Sequence, residues 1–238
     1  MKILALDSSG LIASVAIVDG DNMVAEYTVN YKKTHSQTLL PMLDEIVKMT
    51  QLELAEIDAI AVAAGPGSFT GLRIGSATAK GLGLALDKPI IPIPTVDGLA
   101  FNLFGVDGLV CPLMDARRNQ VYTGLYTFEN NEMKVKSPQK AVAIEEILEE
   151  INQIGEPVIF LGDGVPVQKE NIKEIVKVPY RFAPAHLSRQ RAGALGVLAQ
   201  TYLKEGKIEH AREHKPEYLR LSQAERERME REKKEQAK

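Results

Sequence analysis

The sequence has little of what marks secreted, membrane-spanning or strongly nucleic-acid-binding proteins. Its one cysteine, Cys111, excludes an internal disulfide framework, and the apolar run GLVCPLM around it predicts a buried, unreactive thiol. No apolar run approaches the roughly 18 residues of a membrane span, and MKILAL is too short for the core of a signal peptide. A formal net charge of −3 gives no general attraction to phosphates. We therefore expect a cytoplasmic protein that meets nucleic acid only locally or through a partner.

The first half of the chain has the pattern of a mixed α/β sheet. Length and an apolar content of 45% permit two packed lobes of about 100 residues each. Thr34 and Gln37 have capping-box spacing before an amphipathic helix that begins near residue 35, and Pro41 predicts a bend in it. A second helix is predicted over residues 70–86. The predicted strands are KILALD, SVAIVDG, MVAEYTV, AIAVAAG and KPIIPIPT.

The same order of elements recurs after about residue 108, which predicts a duplicated lobe. A strand, a hairpin, a helix and another strand that ends in glycine are read from LVCPLMDA, QVYTGLYTF with EMKVKSP, AIEEILEEI and PVIFLGDG. A further amphipathic helix lies within 189–206. We therefore expect an N-terminal lobe over 1–105, a smaller C-terminal lobe with a closing helix over 106–222, and a charged tail over 223–238.

A Gly-Pro-Gly turn precedes the second helix in the stretch AGPGSFTGLRIGSATAKGLGLAL. It matches no P-loop pattern, but a glycine turn before a helix N-terminus, with Ser68 or Thr70 as cap, can hold an anion. The end of the first strand could add a carboxylate and two hydroxyls to such a site. The alternatives are that the glycines only turn the chain and that Asp7 only caps a turn. The candidate anion or nucleotide residues are Asp7, Ser8, Ser9, Gly65, Gly67 and Ser68.

Small residues form a ridge along the second helix. Gly71, Gly75, Ala79 and Gly83 are spaced by four and lie on one helix face. Glycines inside a helix cost roughly 1 kcal/mol each relative to alanine, so we expect another backbone to approach closely. That backbone is either the sheet beneath the helix or another chain. Other faces of the helix carry residues suited to polar contacts, namely Arg73, Ser76 and Lys80.

The sequence predicts neither a metal site nor a catalytic set. His210 and His214 have the spacing of a zinc pair on one helix face, but no third ligand is evident. His35 is expected at the surface. Arg117 and Arg118 occupy a hairpin turn where phosphate binding would need glycine; they can instead bind an anion or pair with acids. No Ser/His/Asp or Cys/His arrangement is recognisable.

Several segments together resemble the TsaB (YeaZ) family, a branch of the actin-like ATPase (ASKHA) superfamily. These segments are ILALDSS, THSQTLLPMLDEIV, AVAAGPGSFTGLRIGSATAKGLGLAL, MDARRNQVYTGLY and KPEYLR, and they span most of residues 1–220. The resemblance implies two ribonuclease-H-like lobes and no cofactor. It also implies a non-catalytic subunit of the complex that makes N6-threonylcarbamoyladenosine in tRNA.

The resemblance further implies which partners and residues are involved. In this family the partner TsaD carries the metal and nucleotide chemistry, with a His-x-x-x-His motif where this chain has no histidine between residues 92 and 102. The implied assemblies are a heterodimer with TsaD through the two helices, a homodimer when alone, and a complex joined by the ATPase TsaE, with tRNA contacted only indirectly. The alternative is an autonomous nucleotide-binding protein or weak ATPase. The implied partner surface comprises His35, Leu39, Leu43, Gly71, Arg73, Gly75, Ser76, Ala79, Lys80 and Gly83.

Overall fold

The computed structural model describes residues 1–31 and 34–220, and the first half of the chain forms a sheet with three helices. Both predicted helices are confirmed, although Thr34 forms no side-chain cap, so the capping-box prediction is wrong. Ser68 does cap the second helix, since its Oγ accepts a hydrogen bond from the Gly71 amide at 3.3 Å. The elements are β1 (Lys2–Asp7), β2 (Ala13–Asp19), β3 (Asn22–Val29), α1 (His35–Thr50), β4 (Ala59–Gly65), α2 (Phe69–Leu86), β5 (Ile90–Pro94) and α3 (Thr95–Ala100).

The second half forms another sheet with helices of its own. Its predicted hairpin and the helix that follows are confirmed, and the second hairpin strand extends further than predicted, to Ala143. The elements are β6 (Leu109–Asp115), β7 (Gln120–Glu129), β8 (Glu132–Ala143), α4 (Ile144–Ile154), β9 (Val158–Leu161), α5 (Gly164–Ile175), β10 (Tyr180–Phe182) and α6 (Ala192–Lys204).

The two sheets have the same strand order. The first runs β3-β2-β1-β4-β5 and the second β8-β7-β6-β9-β10. In each sheet three antiparallel strands are joined by two that run parallel to the central strand, β1 or β6. This order is that of a ribonuclease-H-like lobe, so the predicted α/β class with two such lobes is confirmed.

Alternating side chains of the strands bury both faces of the first sheet. Leu4 and Leu6 face α1 and α2, whereas Ile3 and Ala5 face α6. Helix α6 follows the second sheet in the chain yet packs on β1 and β2 of the first. Helices α4 and α5 cover one face of the second sheet, and α3 lies against its other face, between the sheets. The lobe boundaries at residues 105 and 222 stay a prediction.

Residues 207–220, which we call the C-terminal strap, return to the first sheet. Ile90 and Glu209 exchange two backbone hydrogen bonds of 2.9 and 2.8 Å, which cover the edge of β5. The strap then continues beside α2 without forming a helix, so the predicted helix face shared by His210 and His214 is wrong. The predicted tail, 223–238, lies outside the described residues. Among the described helices, none has the length and apolar content to cross a membrane.

Candidate functional site

An open cavity of about 520 Å³ lies between the two sheets. One wall is formed by the residues that follow β1 and by the start of α2, and the opposite wall is formed by the turn between β6 and β7. The strap closes a third side. The cavity therefore joins the predicted anion residues to the predicted arginine turn; its lining includes Ser9, Gly67, Ser68, Asp115, Arg117, Asp163, Tyr218 and Arg220.

Half of the candidate anion residues lie behind the cavity wall and support it. The Oδ1 atom of Asp7 accepts hydrogen bonds from the amide and the hydroxyl of Ser9, at 2.8 and 2.6 Å. Burial raises the pKa of Asp7, and the two bonds from Ser9 oppose that rise. The Ser8 hydroxyl donates to the carbonyl of Gly71 at 2.8 Å. Asp7 and Ser8 thus hold the β1 end against α2.

The glycine turn is needed because the chain's own backbone comes very close. A Cβ on Gly65 would lie 2.0 Å from the carbonyl oxygen of Glu217 in the strap, and Gly65 has a φ of +129°. A Cβ on Gly67 would lie 2.4 Å from the carbonyl oxygen of Ser9, which also accepts a 2.7 Å hydrogen bond from the Ser68 amide. These contacts favour the turn-forming interpretation, and an anion at Ser9, Gly67 and Ser68 stays a prediction.

The opposite wall carries an unusual turn. Arg117, Arg118 and Asn119 have φ values of 61°, 57° and 58°. Three consecutive residues thus have left-handed backbone, a conformation that is uncommon for residues other than glycine. The Arg117 amide donates to Oδ1 of Asp115 at 2.8 Å, and both arginine side chains are exposed. Burial raises the pKa of Asp163, whose Oδ1 accepts from the Asp115 amide at 3.2 Å. This wall presents charged groups to the cavity.

Contacts within the chain account for the ridge of small residues on α2. A Cβ on Gly71 would lie 2.0 Å from the carbonyl oxygen of Ser8, and one on Gly83 would lie 2.8 Å from Cβ of Ala211. Ala79 is fully buried. Of the two alternatives, approach by the same chain is the one observed. The other positions of the implied partner surface that are buried in the monomer are Leu39, Leu43, Gly75 and Ser76.

The polar residues of that implied surface make specific contacts. His35 is half-buried rather than at the surface, and its Nε2 donates to the carbonyl of Gly10 at 2.8 Å. Lys80 donates from Nζ to the carbonyls of Arg212 and His214 in the strap, at 3.0 Å each. The exposed Arg73 donates from Nε to the hydroxyl of Tyr218 at 3.2 Å. Arg73 and Lys80 thus fasten the strap to α2.

The structure assembles a Ser-His-Glu chain that the sequence analysis did not find. The Ser76 hydroxyl is 3.0 Å from Nε2 of His214, and Nδ1 of His214 is 2.8 Å from Oε2 of Glu209. Because the carboxylate only accepts, Nδ1 of His214 carries a proton and donates to Glu209. Ser76 is only 4% exposed and His214 only 1%, so no substrate carbonyl can reach the hydroxyl. The chain of hydrogen bonds anchors the strap.

Two further side chains with reactive groups, a cysteine and an aspartate, are also buried. Cys111 is fully buried, as predicted, and burial raises the pKa of its thiol to about 12. In the segment 92–102 Asp97 is 7% exposed and accepts hydrogen bonds from the hydroxyls of Tyr126 and Tyr202. Within residues 1–31 and 34–220, no group of three or more His, Cys, Asp or Glu side chains could hold a metal ion.

Comparisons with known proteins agree on one family. The family model described as "TsaD: tRNA N6-adenosine threonylcarbamoyltransferase" matches residues 22–228. The tRNA threonylcarbamoyladenosine biosynthesis protein TsaB of Bacillus subtilis is 35% identical over 225 residues, which are 94% of this chain and 96% of that protein. The Escherichia coli protein of the same name is 32% identical over 69% of this chain and 72% of its own length.

A solved structure gives the same result. YeaZ from Pseudomonas aeruginosa superposes with a TM-score of 0.78 at 28% identity, over 92% of this chain and 99% of that one. The structural similarity thus covers most of the chain, and the matched family model spans the range from β3 through the strap. The chain therefore belongs to the family that this model describes and, within it, to the branch of the TsaB (YeaZ) proteins.

Proposed function

We propose that this protein is a non-catalytic, activating subunit of the machinery that makes N6-threonylcarbamoyladenosine in tRNA. Membership of the TsaB branch supports the pathway, since its relatives are named for that biosynthesis. In this proposal the protein forms a heterodimer with the catalytic subunit TsaD and is joined by the ATPase TsaE. It contacts tRNA only through the complex, works in the cytoplasm, and needs no cofactor of its own.

The burial of two reactive groups supports a non-catalytic role. The hydroxyl of Ser76, which is hydrogen-bonded to a histidine, and the thiol of Cys111 are groups that a hydrolase or transferase could use covalently, and both are shielded from solvent. The carboxylate of Asp97 accepts hydrogen bonds from the hydroxyls of two tyrosines of the same chain. These groups do structural work within the fold, so we assign the chemistry of the complex to the partner.

One exposed glycine carries the assignment of the partner surface. Gly81 lies in the interior of α2, and a Cβ there would have nothing within 4 Å, unlike Gly71, Gly75 and Gly83. Its cost of about 1 kcal/mol is therefore not compensated by any contact of the described chain. Ala77 is exposed one turn before it. Exposed apolar side chains also lie on the two helices, namely Leu84 of α2, 49% exposed, and Leu40 of α1, 54% exposed.

The exposed faces of α1 and α2 thus form the surface that we propose for TsaD. Small residues let a partner helix approach closely, and the exposed leucines supply apolar area. Arg73 lies on the exposed side and stays in the proposed contact. The buried positions of the implied surface, such as Ala79, support these helices from below. The same surface would form the homodimer when TsaD is absent.

The test is a bulky substitution on the exposed face. Ala77→Trp should abolish the heterodimer with TsaD, measured by analytical ultracentrifugation, while circular dichroism and melting stay unchanged. The matched control is Val167→Trp at a 61% exposed position of α5, which should leave binding intact. Ala79→Trp is unsuitable because Ala79 is fully buried. Unchanged assembly of the Ala77→Trp protein with TsaD would refute the proposed surface.

Activity is tested by reconstitution. With TsaD, TsaE, tRNA and threonylcarbamoyl-adenylate present, tRNA modification should depend on this protein, and the Ala77→Trp protein should not restore it.

The cavity of about 520 Å³ supports a second candidate function, which is autonomous nucleotide binding or weak ATPase activity. Calorimetry with ADP and ATP, with and without TsaD, distinguishes the two. Metal-dependent ATP turnover by the purified chain alone would favour the second candidate.

A further inference from the structure

A buried carboxylate lies at the junction of the two sheets. Asp97 is on α3, which begins at Thr95 directly after β5 ends at Pro94. The short helix packs against the second sheet, where Val96 and Leu99 meet Val110 and other apolar residues. A charged side chain in such surroundings costs several kcal/mol unless its oxygens are hydrogen-bonded. The hydrogen-bond donors to Asp97 therefore determine whether its carboxylate can be buried at this position.

Each oxygen of Asp97 is bound by a tyrosine from a different part of the molecule. Tyr126 of β7, in the second sheet, donates to Oδ1 at 2.6 Å and is fully buried. Tyr202 of α6, which packs on the first sheet, donates to Oδ2 at 3.0 Å. Lys207 at the start of the strap lies with its Nζ 4.7 Å from the centre of the Tyr202 ring. Two elements, β7 and α6, thus converge on one carboxylate, and the strap lies against one of the two tyrosines.

Separating the sheets would break this arrangement at its most costly point. Whichever sheet α3 followed, one oxygen of Asp97 would lose its donor: Oδ2 would lose Tyr202 if α3 moved with the second sheet, and Oδ1 would lose Tyr126 if it stayed with the first. Burial raises the pKa of both tyrosines, so both hydroxyls keep the protons that they donate. Other hydrogen bonds also join the halves, such as that from Arg189 Nη1 to the carbonyl of Gly162 at 2.7 Å, but these acceptors are neutral or lie at the surface, whereas Asp97 is a buried carboxylate.

We propose that Asp97, through Tyr126 and Tyr202, locks the angle between the two sheets, so that the chain acts as one rigid body. A two-lobed fold with a cavity between its lobes could otherwise open and close around that cavity. The lock holds the cavity walls at a fixed separation whatever binds there. This inference goes beyond the proposed function and does not depend on it, because a rigid pair of lobes is a property of the isolated chain.

Spin labels on the two lobes measure the lock directly. Asp21 between β2 and β3 and Glu174 of α5 are exposed, and Cys111 is buried, so Asp21→Cys and Glu174→Cys provide labelled positions outside α1 and α2. An excess of unlabelled chain suppresses distances between protomers. In the double electron–electron resonance experiment the otherwise unchanged chain should give one narrow distance distribution. Tyr126→Phe and Asp97→Leu should each broaden it or add a second distance. Loss of a hydrogen bond to a charged group should raise the opened fraction about tenfold or more.

A matched variant separates the lock from general loosening of the core. Thr123→Val removes a buried hydroxyl that contacts Sγ of Cys111 at 3.5 Å within the second sheet, so it should leave the distribution narrow. Tyr202→Phe, at a half-buried position, keeps the test usable should Tyr126→Phe not fold. Cooperatively folded Asp97→Leu and Tyr202→Phe proteins with the unchanged narrow distribution would overturn the proposal. Equal broadening in Thr123→Val would overturn it as well.

Discussion

The two lobes share a strand order but differ where their central strands end. In the first lobe β1 ends in Asp7, which is buried and held by Ser9. In the second lobe β6 ends in Asp115, which is exposed beside the left-handed turn of Arg117 and Arg118. One side of the cavity is thus satisfied by its own chain, whereas the other presents charge to whatever enters. Equal topology therefore does not imply equal chemistry at equivalent strand ends.

Helices α2 and α5, which follow the fourth strand of each lobe, differ in how closely they approach the central strand. Helix α2 lies so close to the β1 end that a Cβ on Gly71 would be 2.0 Å from a backbone oxygen, whereas for Gly164 of α5 the distance is 2.9 Å. The strap covers the flank of α2 and has no counterpart on α5 among the described residues. Helix α2 thus approaches the end of β1 more closely than α5 approaches the end of β6.

The largest expected effect comes from filling that close contact. Gly71→Ala should lower the free energy of unfolding by about 3 kcal/mol, the upper end for overpacking, because the Ser8 backbone must move. Gly164→Ala should cost about 1 kcal/mol, since a smaller shift accommodates the methyl group. Urea denaturation of the three proteins measures the difference between the lobes.

Gly81→Ala is the control for this comparison. It adds the same methyl group to α2 where nothing lies within 4 Å, so it should raise the free energy of unfolding by about 1 kcal/mol. A Gly71→Ala protein as stable as the Gly164→Ala protein would mean that α2 and α5 tolerate a methyl group equally well at these contacts.

The next effect concerns the strap, which pairs with β5 and lies along α2 of the first lobe. His214→Ala should lower the free energy of unfolding by about 2–3 kcal/mol, because it leaves a cavity and removes the partners of Ser76 and Glu209. Ser76→Ala should cost about 1 kcal/mol, since one hydrogen bond is lost. Trypsin should then cleave after the exposed Arg212 fastest in the His214→Ala protein.

Hydrogen exchange shows whether the effect stays in one lobe. Faster exchange should be confined to β5 and α2, which the strap contacts, with β9 and α5 unchanged. Exchange that accelerates equally in both sheets would show that the strap stabilises the whole molecule rather than the first lobe.

Local patterns predicted the elements of both lobes well. The spacing of small and apolar residues placed the second helix at 70–86, against Phe69–Leu86 in the structure. The repeated order of strand, hairpin, helix and strand was enough to predict two similar lobes. Local sequence patterns did not predict two elements. Helix α5 begins with glycine and has a proline among its first residues, and β10 has only three residues. Short or proline-containing elements are defined by their tertiary contacts instead.

The contacts of the site could not be predicted, because they join residues far apart in the chain. Ser76 meets His214 across 138 positions, and Asp97 meets Tyr202 across 105. The spacing of glycines on α2 correctly indicated that something approaches closely, but not that it is Ser8 and Ala211. Periodicity identifies a face of a helix, and only the assembled fold identifies what covers that face.

The smallest expected effect compares the two acids that end the central strands. Because burial raises the pKa of Asp7 above its ordinary 3.8, the native state binds this proton more tightly than the unfolded chain. Stability from this group is thus lost as pH rises from 3.8 through the raised native pKa. Asp7→Asn should remove that decline, since Asn can still accept both bonds from Ser9, while Asp115→Asn at the exposed strand end should keep it. Urea midpoints measured from pH 4 to 8 test this, and equal pH profiles of the two variants would show that the strand ends are electrostatically equivalent after all.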